Sequence, residues 1–384
     1  MTSVRGICDS RFDRVGQALQ RNIDDGAEVG ASVVVDIDGH RSVDLWGGFR
    51  DVEHNSPWEM HTITNLWSCT KMVTALAALL LVDRGELALD APVAKYWPEF
   101  ADNGKSDVEV RHLLSHTSGV SGLEQPATLE DFYDARGTAA RLAGQRPWWT
   151  PGTASGYHVL TYGHLIGELV ARISGVSLTR FVDQEIARPL DADFQIGAAA
   201  ADWPRIAPVI APVVAPMPDA DIDPGVAAPD SPAARTFAVG ATPEDANTGA
   251  WRRAELGAVN GHGNARALAN LLSVIARGGE SDGARLLRRP TIDRVLEPQA
   301  DGVDLVLGIP LRWGIGFGLP CPQTLPWIPD GRVCFWGGWG GSMVVMDLDR
   351  RMTISYVMNK MSAGIIGSPR SAEYVTAVYD ALES

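Results

Sequence analysis

The amino-acid sequence predicts an α+β fold, in which an antiparallel β-sheet flanked by helices is interrupted by a mainly helical insertion. Three observations support this prediction. Short strand-like runs separated by turn residues occur near both ends of the 384-residue chain. Between about residues 100 and 250, apolar residues recur mainly at helical spacing. One segment, 71–84, is apolar on nearly every helical face, so it must be buried between two domains or under a sheet.

The N-terminal region begins with a helix and a hairpin. Residues 12–23 carry apolar side chains at helical spacing and predict an amphipathic helix. Residues 31–37 and 42–46 flank Asp38-Gly39, a dipeptide that tolerates the positive φ of a tight turn. We therefore expect two antiparallel strands here. A short strand at 62–66 then precedes the buried helix, which Gly85 ends as a C-terminal cap.

The remaining elements follow the same two patterns. Helical spacing predicts helices in four segments: 108–114, 129–142, 159–173 and 264–277. Strand-like runs at 333–337, 342–347 and 352–358 precede a last helix at 372–382. Residues 207–234 are rich in Ala, Pro and Asp and predict a long irregular loop that forms a lid or pocket wall. We assign residues 1–95 and 255–384 to the sheet domain and 96–254 to the helical domain.

Composition excludes several classes of function. The formal net charge of −14 disfavours nucleic acid and anionic membranes as partners. Four scattered cysteines, with no Cys-x-x-Cys pair, indicate neither a zinc site nor a disulfide framework. Phosphate-binding and dinucleotide-binding fingerprints are also missing, so we expect no metal and no cofactor. Residues 1–20 contain no signal-peptide core, and the apolar run 72–82 is too short for a bilayer. These features favour a cytoplasmic protein and leave homo-oligomer formation open.

The strongest candidate for chemistry is Ser68-Cys-Thr-Lys71. Side chains three residues apart share one face of a helix, so Lys71 can reach the Ser68 hydroxyl. A buried lysine can lose its proton readily enough to act as a base, and the first helical turn offers free N–H groups to an oxyanion. The alternative is an accidental match among four lysines. The position of the motif, between a strand and a buried helix, favours the catalytic interpretation.

Two glycine-containing segments offer partners for Ser68. The turn 151–156 precedes Tyr157, which, as a tyrosinate beside an ammonium, could act as a general base; packing of the loop is the alternative. In Trp336-Gly337-Gly338-Trp339, glycines permit close approach of a ligand or a second backbone, and the N–H groups could complete an oxyanion site. Taken alone, the second segment is better explained as a tight hairpin.

A second serine motif is a decoy. Residues 279–283 match the Gly-x-Ser-x-Gly pattern, with Ser281 at its centre, but that motif requires a preceding strand and a following helix. Here a predicted helix precedes the motif, and Asp282-Gly283 is an ordinary turn signal. We therefore do not expect Ser281 to be a nucleophile.

Taken in order, the motifs of the chain resemble those of the class C β-lactamase-like serine hydrolases. They are Ser68-Cys-Thr-Lys71, His112-Leu-Leu-Ser-His116-Thr-Ser-Gly119, Pro151-Gly-Thr with Tyr157, and Trp336-Gly-Gly338. The resemblance implies two domains with the active site in the cleft between them. It implies that Ser68 is the nucleophile, that Lys71 and Tyr157 are the base system, and that the N–H groups of Ser68 and Trp339 form the oxyanion hole. His116 would brace its turn.

Two departures from the β-lactamase pattern favour family VIII carboxylesterases within this superfamily. Trp336 replaces a lysine that helps to bind the substrate carboxylate, and Val159 replaces an asparagine that helps to position substrate. An apolar wall suits small uncharged esters, and Trp148, Trp149 and Trp339 are candidates for lining it. We therefore predict a serine carboxylesterase for small or short-chain esters. The alternatives are a β-lactamase, D-amino-acid peptidase, amidase or transacylase of the superfamily, or a catalytically silent scaffold.

Overall fold

A computed structural model describes residues 3–212, 228–281 and 284–383. Its strands are β1 Arg5–Cys8, β2 Gly30–Ile37, β3 His40–Gly48, β4 Thr64–Asn65, β5 Gln195–Ile196, β6 Gly261–Gly263, β7 Glu280–Ser281, β8 Ala284–Arg285, β9 Ala300–Val303, β10 Pro310–Trp313, β11 Gly318–Leu319, β12 Val333–Gly337, β13 Met343–Asp347 and β14 Met352–Met358. The α-helices are α1 Asp13–Asp24, α2 Thr70–Asp83, α3 Val110–Leu114, α4 Ala135–Gly144, α5 Thr161–Ser174, α6 Leu178–Val182, α7 Pro232–Phe237, α8 Gly249–Arg253, α9 Ala265–Ala276, α10 Arg289–Val295 and α11 Pro369–Glu383.

A nine-stranded antiparallel sheet forms the centre of the molecule, in the order β1-β3-β2-β14-β13-β12-β11-β10-β9. Strands from the two ends of the sequence meet in the middle of this sheet, where Val33 of β2 pairs with Tyr356 of β14. The β2–β3 turn contains Asp38 and Gly39, whose φ angles of 52° and 85° are the left-handed values that the dipeptide was expected to supply. The predicted α+β fold class is confirmed.

Helices cover both the sheet and one another. Helix α9 packs on β2, β13 and β14, whereas α1 packs between β3 and α11. Helix α2 lies between α5 and α6 on one side and α9 and α10 on the other. Every residue of α2 from Thr70 to Leu81 is buried, which explains why this segment has no polar face. Gly85, with a φ of 76°, ends α2 as predicted.

Local differences from the predictions have identifiable causes. The helix expected at 129–142 is divided into a 3-10 turn, Glu130–Tyr133, and α4, because Asp134 leaves helical geometry and its carboxylate caps the Gly137 N–H. The strand expected at 62–66 forms only its central residues, since β4 pairs with the short strand β6. Part of the loop expected at 207–234 is helical (α7), while residues 213–227 lie outside the described residues.

No helix in the described ranges combines the length and the apolar character needed to cross a membrane.

Candidate active site

Ser68 lies in the turn that leads into α2. The preceding residue, Trp67, has a φ of 47°, an uncommon value for a residue with a side chain, and such backbone strain is often found at functional sites. The Lys71 N–H donates to the Ser68 carbonyl at 3.0 Å, which closes the turn and brings the two side chains together. Ser68 itself is buried, with 8% of its surface exposed. The sequence therefore places this hydroxyl at the end of a rigid, buried helix.

The side-chain nitrogen of Lys71 lies within hydrogen-bonding distance of three oxygens. Its Nζ is 3.1 Å from Ser68 Oγ, 2.8 Å from the Val159 carbonyl and 3.0 Å from the Ala258 carbonyl. Lys71 is fully buried and forms no ion pair with a carboxylate in the described part of the chain. Burial lowers the pKa of Lys71 well below its usual range.

These contacts fit a neutral amine. A neutral lysine has two N–H bonds and one lone pair, and the two backbone carbonyls can only accept hydrogen bonds. The third contact, with Ser68 Oγ, is therefore the one in which the lone pair can accept the hydroxyl proton. The geometry presents Lys71 as a base directed at Ser68.

Tyr157 lines the same cavity as Ser68 and belongs to an aromatic cluster. The Trp336 indole N–H donates to Tyr157 Oη at 3.0 Å, and the Trp313 ring stacks on the Tyr157 ring at a centroid distance of 5.9 Å. Burial raises the pKa of Tyr157, and hydrogen bonds with Ser68 and Trp336 only partly offset this effect. Burial thus opposes the tyrosinate–ammonium pair considered from the sequence, because it disfavours the charged form of each group.

Hydrogen bonds to neighbouring backbone fix the turn that carries Tyr157. The carbonyl of His116 accepts from the Gly156 N–H at 2.9 Å, and His116 Nδ1 accepts from the His158 N–H at 3.1 Å. The Tyr157 N–H donates to the carboxylate of Asp304 at 2.9 Å. His116 thus braces the turn from the helical region, whereas Asp304, which the sequence did not single out, holds it from the β9–β10 connection.

The β12–β13 turn brings Trp339 beside Ser68. The Trp67 and Trp339 rings meet at a centroid distance of 5.1 Å. A Cβ atom on Gly338 would lie 2.5 Å from the Leu66 carbonyl, so only glycine permits this approach. Within the described ranges, the N–H groups of Ser68 and Trp339 donate to no backbone acceptor, whereas those of Cys69, Gly338 and Gly340 do. Both groups are thus free to donate to a substrate oxygen.

A cavity of about 350 Å³ opens beside Ser68. Its polar side chains are those of Ser68 and Tyr157, and the rest of its wall is apolar or glycine. The other lining residues are Trp67, Val159, Leu160, Phe237, Gly240, Ala241, Val259, Leu307, Trp339, Ala363 and Ile365. Among the residues that the structure describes, no charged side chain contributes to this wall, so this part of the cavity suits an uncharged, largely apolar ligand.

The residues expected to bind substrate occupy different positions around this cavity. Trp339 and Val159 line it, and Val159 also supplies a carbonyl to Lys71. Trp336 is buried behind Tyr157, where its indole holds the phenol.

The other four lie away from the wall. Gly337 and Gly338 belong to β12 and the following turn, and their close contacts are with protein atoms. The Trp149 indole donates to the Ala154 carbonyl, and the Trp148 ring stacks under the Arg235 guanidinium.

Several wall residues carried no recognisable signal in the sequence. Phe237 ends α7, whereas Leu307 and Ile365 come from two separate connections, and only the fold brings the three to one cavity.

The decoy serine, Ser281, does not line the cavity beside Ser68. Ser281 is buried in the short strand β7, which pairs with β8, and it follows α9 rather than a strand. Asp282 and Gly283 lie outside the described residues. Among the residues that the structure describes, no group of three or more His, Cys, Asp and Glu side chains is placed to hold a metal ion.

Comparisons with known proteins point to one family of sequences. Residues 16–367 match the sequence profile of the β-lactamase family. The esterase/β-lactamase LipL of Mycobacterium tuberculosis is 32% identical over 379 residues, which cover 94% of this chain and 84% of that protein. Esterase EstB of Burkholderia gladioli is 36% identical over 180 residues, covering 42% of this chain and 45% of that protein.

Solved structures give the same result. The crystal structure of a family VIII carboxylesterase superposes with a TM-score of 0.91 at 35% identity, covering 98% of this chain and 99% of that one. A penicillin-binding protein homologue from Caulobacter crescentus superposes with a TM-score of 0.88 at 37% identity, with the same coverage.

Proposed function

Since the chain belongs to the β-lactamase family of serine hydrolases, we propose that it is a carboxylesterase that hydrolyses small or short-chain uncharged esters through an acyl intermediate on Ser68. The observation that supports this most strongly is the combination of a buried Lys71, whose Nζ lies 3.1 Å from Ser68 Oγ, with a cavity to which the described residues contribute no charged side chain. Relatives named as esterases, including LipL and EstB, support the same class of reaction.

In the first step, Ser68 Oγ attacks the ester carbonyl carbon while its proton passes to the lone pair of Lys71. The N–H groups of Ser68 and Trp339 stabilise the negative charge that develops on the carbonyl oxygen. Tyr157, a neutral phenol near Ser68, donates its proton to the departing alkoxide, and the Lys71 ammonium restores the Tyr157 proton. The alcohol leaves and the acyl group remains on Ser68.

In the second step, a water molecule attacks the acyl carbon and loses its proton to the same base system. The tetrahedral intermediate collapses, Ser68 Oγ recovers a proton, and the carboxylic acid leaves. Because the described residues present neither a cation nor a carboxylate to the cavity, a charged acyl or alcohol group would be desolvated against them without a partner. The site therefore favours neutral groups on both sides of the ester bond.

The experiment that tests this function compares two serine variants. Ser68→Ala should abolish hydrolysis of p-nitrophenyl acetate and butyrate and labelling by a fluorophosphonate probe, with an unchanged circular dichroism spectrum. Ser281→Ala is the matched control, since Ser281 is also buried but lies in the decoy motif, and it should keep both activities. Retained hydrolysis by Ser68→Ala would refute the proposal, and failure of the wild type to react with the probe would favour a silent scaffold.

β-Lactam hydrolysis is the second candidate, because LipL is named both as an esterase and as a β-lactamase. The absence of a charged side chain among the described wall residues argues against efficient binding of the β-lactam carboxylate. A comparison of kcat/KM for nitrocefin and for p-nitrophenyl butyrate separates the two functions. Higher efficiency on nitrocefin would show that β-lactam hydrolysis, and not ester hydrolysis, is the main activity.

A further inference from the structure

Asp304 is a buried carboxylate in the connection between β9 and β10, outside the residues assigned to the chemistry. It has no exposed surface. Its Oδ1 accepts three backbone N–H groups, from Tyr157 at 2.9 Å, Val306 at 3.0 Å and Leu307 at 3.0 Å. In the described ranges it forms no ion pair, and its Oδ2 has no hydrogen-bond partner. A buried carboxylate without a cation is costly, so its contacts need an explanation.

The three N–H groups belong to two parts of the active site. Tyr157 carries the phenol beside Ser68, and Leu307 forms part of the cavity wall. A second bond joins the same two segments, since the Leu305 N–H donates to the Ser155 carbonyl at 2.8 Å. The connection is itself compact, because the Asp304 carbonyl accepts from Gly308 at 2.8 Å and its N–H donates to the Ile309 carbonyl at 3.0 Å. The Asp304 side chain and the Leu305–Ser155 bond therefore together link the turn that carries the phenol to the cavity wall.

We propose that Asp304 is a positioning residue that holds Tyr157 and the cavity wall at Leu307 in one arrangement, so that it sets both the rate of proton transfer and the preference for the length of the acyl chain. The proposal rests on the proposed function of the Ser68 site. Asp304 does not line the cavity, so it acts through the residues that it holds.

Geometry rather than charge carries the effect in this proposal. An asparagine has the same shape as an aspartate and can accept the three N–H groups through its carbonyl oxygen. Its amide nitrogen would occupy the position of Oδ2. Asp304→Asn should therefore keep the arrangement, whereas Asp304→Ala removes the acceptor and leaves the Leu305–Ser155 bond to join the two segments.

The experiment compares Asp304→Ala and Asp304→Asn with Asp347→Ala. Asp347 is a matched control because it is also a buried carboxylate, and its oxygens accept from the Arg350 N–H and the Tyr379 hydroxyl at the end of β13 remote from the Ser68 turn. The measurements are kcat and KM for p-nitrophenyl acetate, butyrate and hexanoate, the rate of Ser68 labelling by a fluorophosphonate, and the melting temperature.

Asp304→Ala should lower kcat about 10- to 100-fold, slow the labelling of Ser68, and change the ratio of kcat/KM between hexanoate and acetate. Asp304→Asn should stay within about five-fold of the wild type, and Asp347→Ala should lower the melting temperature without a change in this ratio. Equal losses of activity in Asp304→Ala and Asp347→Ala would overturn the proposal. A loss in Asp304→Asn as large as that in Asp304→Ala would overturn it too.

If Asp304→Ala does not fold, Asp304→Glu replaces it, since glutamate keeps the charge but moves the carboxylate by one methylene. Asp304→Glu should lose activity while Asp304→Asn keeps it, and the reverse order would overturn the proposal. If the wild type hydrolyses no ester, the proposed function fails instead. The labelling rate still tests the role of Asp304 in that case, because it depends only on Ser68 and its base.

Discussion

Two buried lysines, Lys71 and Lys105, occupy sites of the same general design but serve different purposes. Each Nζ lies over an aromatic ring, Tyr157 for Lys71 at 4.7 Å and Phe100 for Lys105 at 5.1 Å from the ring centroid. Each side chain is buried, and each Nζ has three oxygen neighbours. The sites differ in the third oxygen, which is a hydroxyl at Lys71 and a carbonyl at Lys105. They also differ in the ring, because Tyr157 carries a hydroxyl that Phe100 lacks.

Lys105 donates to three backbone carbonyls, those of Asp102, Ala143 and Gln145, at 2.5 to 2.9 Å. Three acceptors use all three N–H bonds of an ammonium, and two of them belong to the C-terminal end of α4, where a positive charge is favourable. At Lys71 a hydroxyl replaces the third carbonyl, and a hydroxyl, unlike a carbonyl, can also donate its proton to the lysine. The two sites therefore differ in one oxygen, which can exchange a proton with Lys71 but has no counterpart at Lys105.

The strongest test of this comparison replaces each lysine by methionine. Lys71→Met should lower kcat/KM for p-nitrophenyl butyrate by about 10²- to 10⁴-fold, because the base is lost. Lys105→Met should keep kcat and lower the free energy of unfolding by about 2–4 kcal/mol, because three buried carbonyls lose their donor. Esterase kinetics and chemical denaturation check the two outcomes. Comparable losses of activity in both variants would show that the two lysines do not differ in role.

A smaller effect comes from making the Lys71 site resemble the Lys105 site. Tyr157→Phe keeps the ring under the lysine and removes only the hydroxyl, as in Phe100. We expect kcat/KM to fall about 100-fold for an alkyl ester such as ethyl butyrate. The loss should be smaller for p-nitrophenyl butyrate, because p-nitrophenolate leaves without protonation. An equal loss for both esters would show that Tyr157 does not donate a proton to the leaving alcohol.

The smallest expected effect is a dependence of stability on pH. Because burial lowers the pKa of Lys71 in the folded state, the amine stays neutral there while the unfolded chain binds a proton below pH 10.5. Unfolding then takes up a proton, so the free energy of unfolding rises with pH between the two pKa values, by up to about 1.4 kcal/mol per unit.

The measurement is the free energy of unfolding of the wild type minus that of Lys71→Met, determined from pH 8 to pH 10. This difference should increase with pH, and a constant difference would contradict a neutral Lys71. Esterase activity supplies a second readout. It should fall as the pH drops through the pKa of Lys71, because protonation removes the lone pair that accepts the Ser68 proton.

The sequence predicted the side chains of this site better than their surroundings. Ser68 and Lys71 could be paired because their spacing alone brings them together, although Ser68 lies just before α2 rather than inside it. The acceptors around Lys71 could not be predicted, since they are the backbone carbonyls of Val159 and Ala258, and every residue type has a backbone carbonyl. Lys105 was not distinguished from a surface lysine for the same reason.

The fold was predictable where periodicity was strong and less so where a side chain altered the backbone. Helix α2 and the β2–β3 hairpin follow from apolar pattern and turn chemistry. Asp134 could not be identified as a helix cap in advance, because its carboxylate caps α4 only once the preceding turn has its shape. Asp304 is similar, since its three partners lie in segments that are almost 150 residues apart in sequence.

The pairing of β2 with β14 also has a consequence for biosynthesis. The ribosome completes β2 and β3 more than 300 residues before it completes β14. At ordinary rates of translation the edge of β2 that pairs with β14 stays unpaired for a time on the order of tens of seconds. During that interval a row of Val side chains and unpaired backbone groups faces solvent, which is a hazard for aggregation. A nascent chain of this protein is therefore expected to depend on chaperones until its last strand emerges.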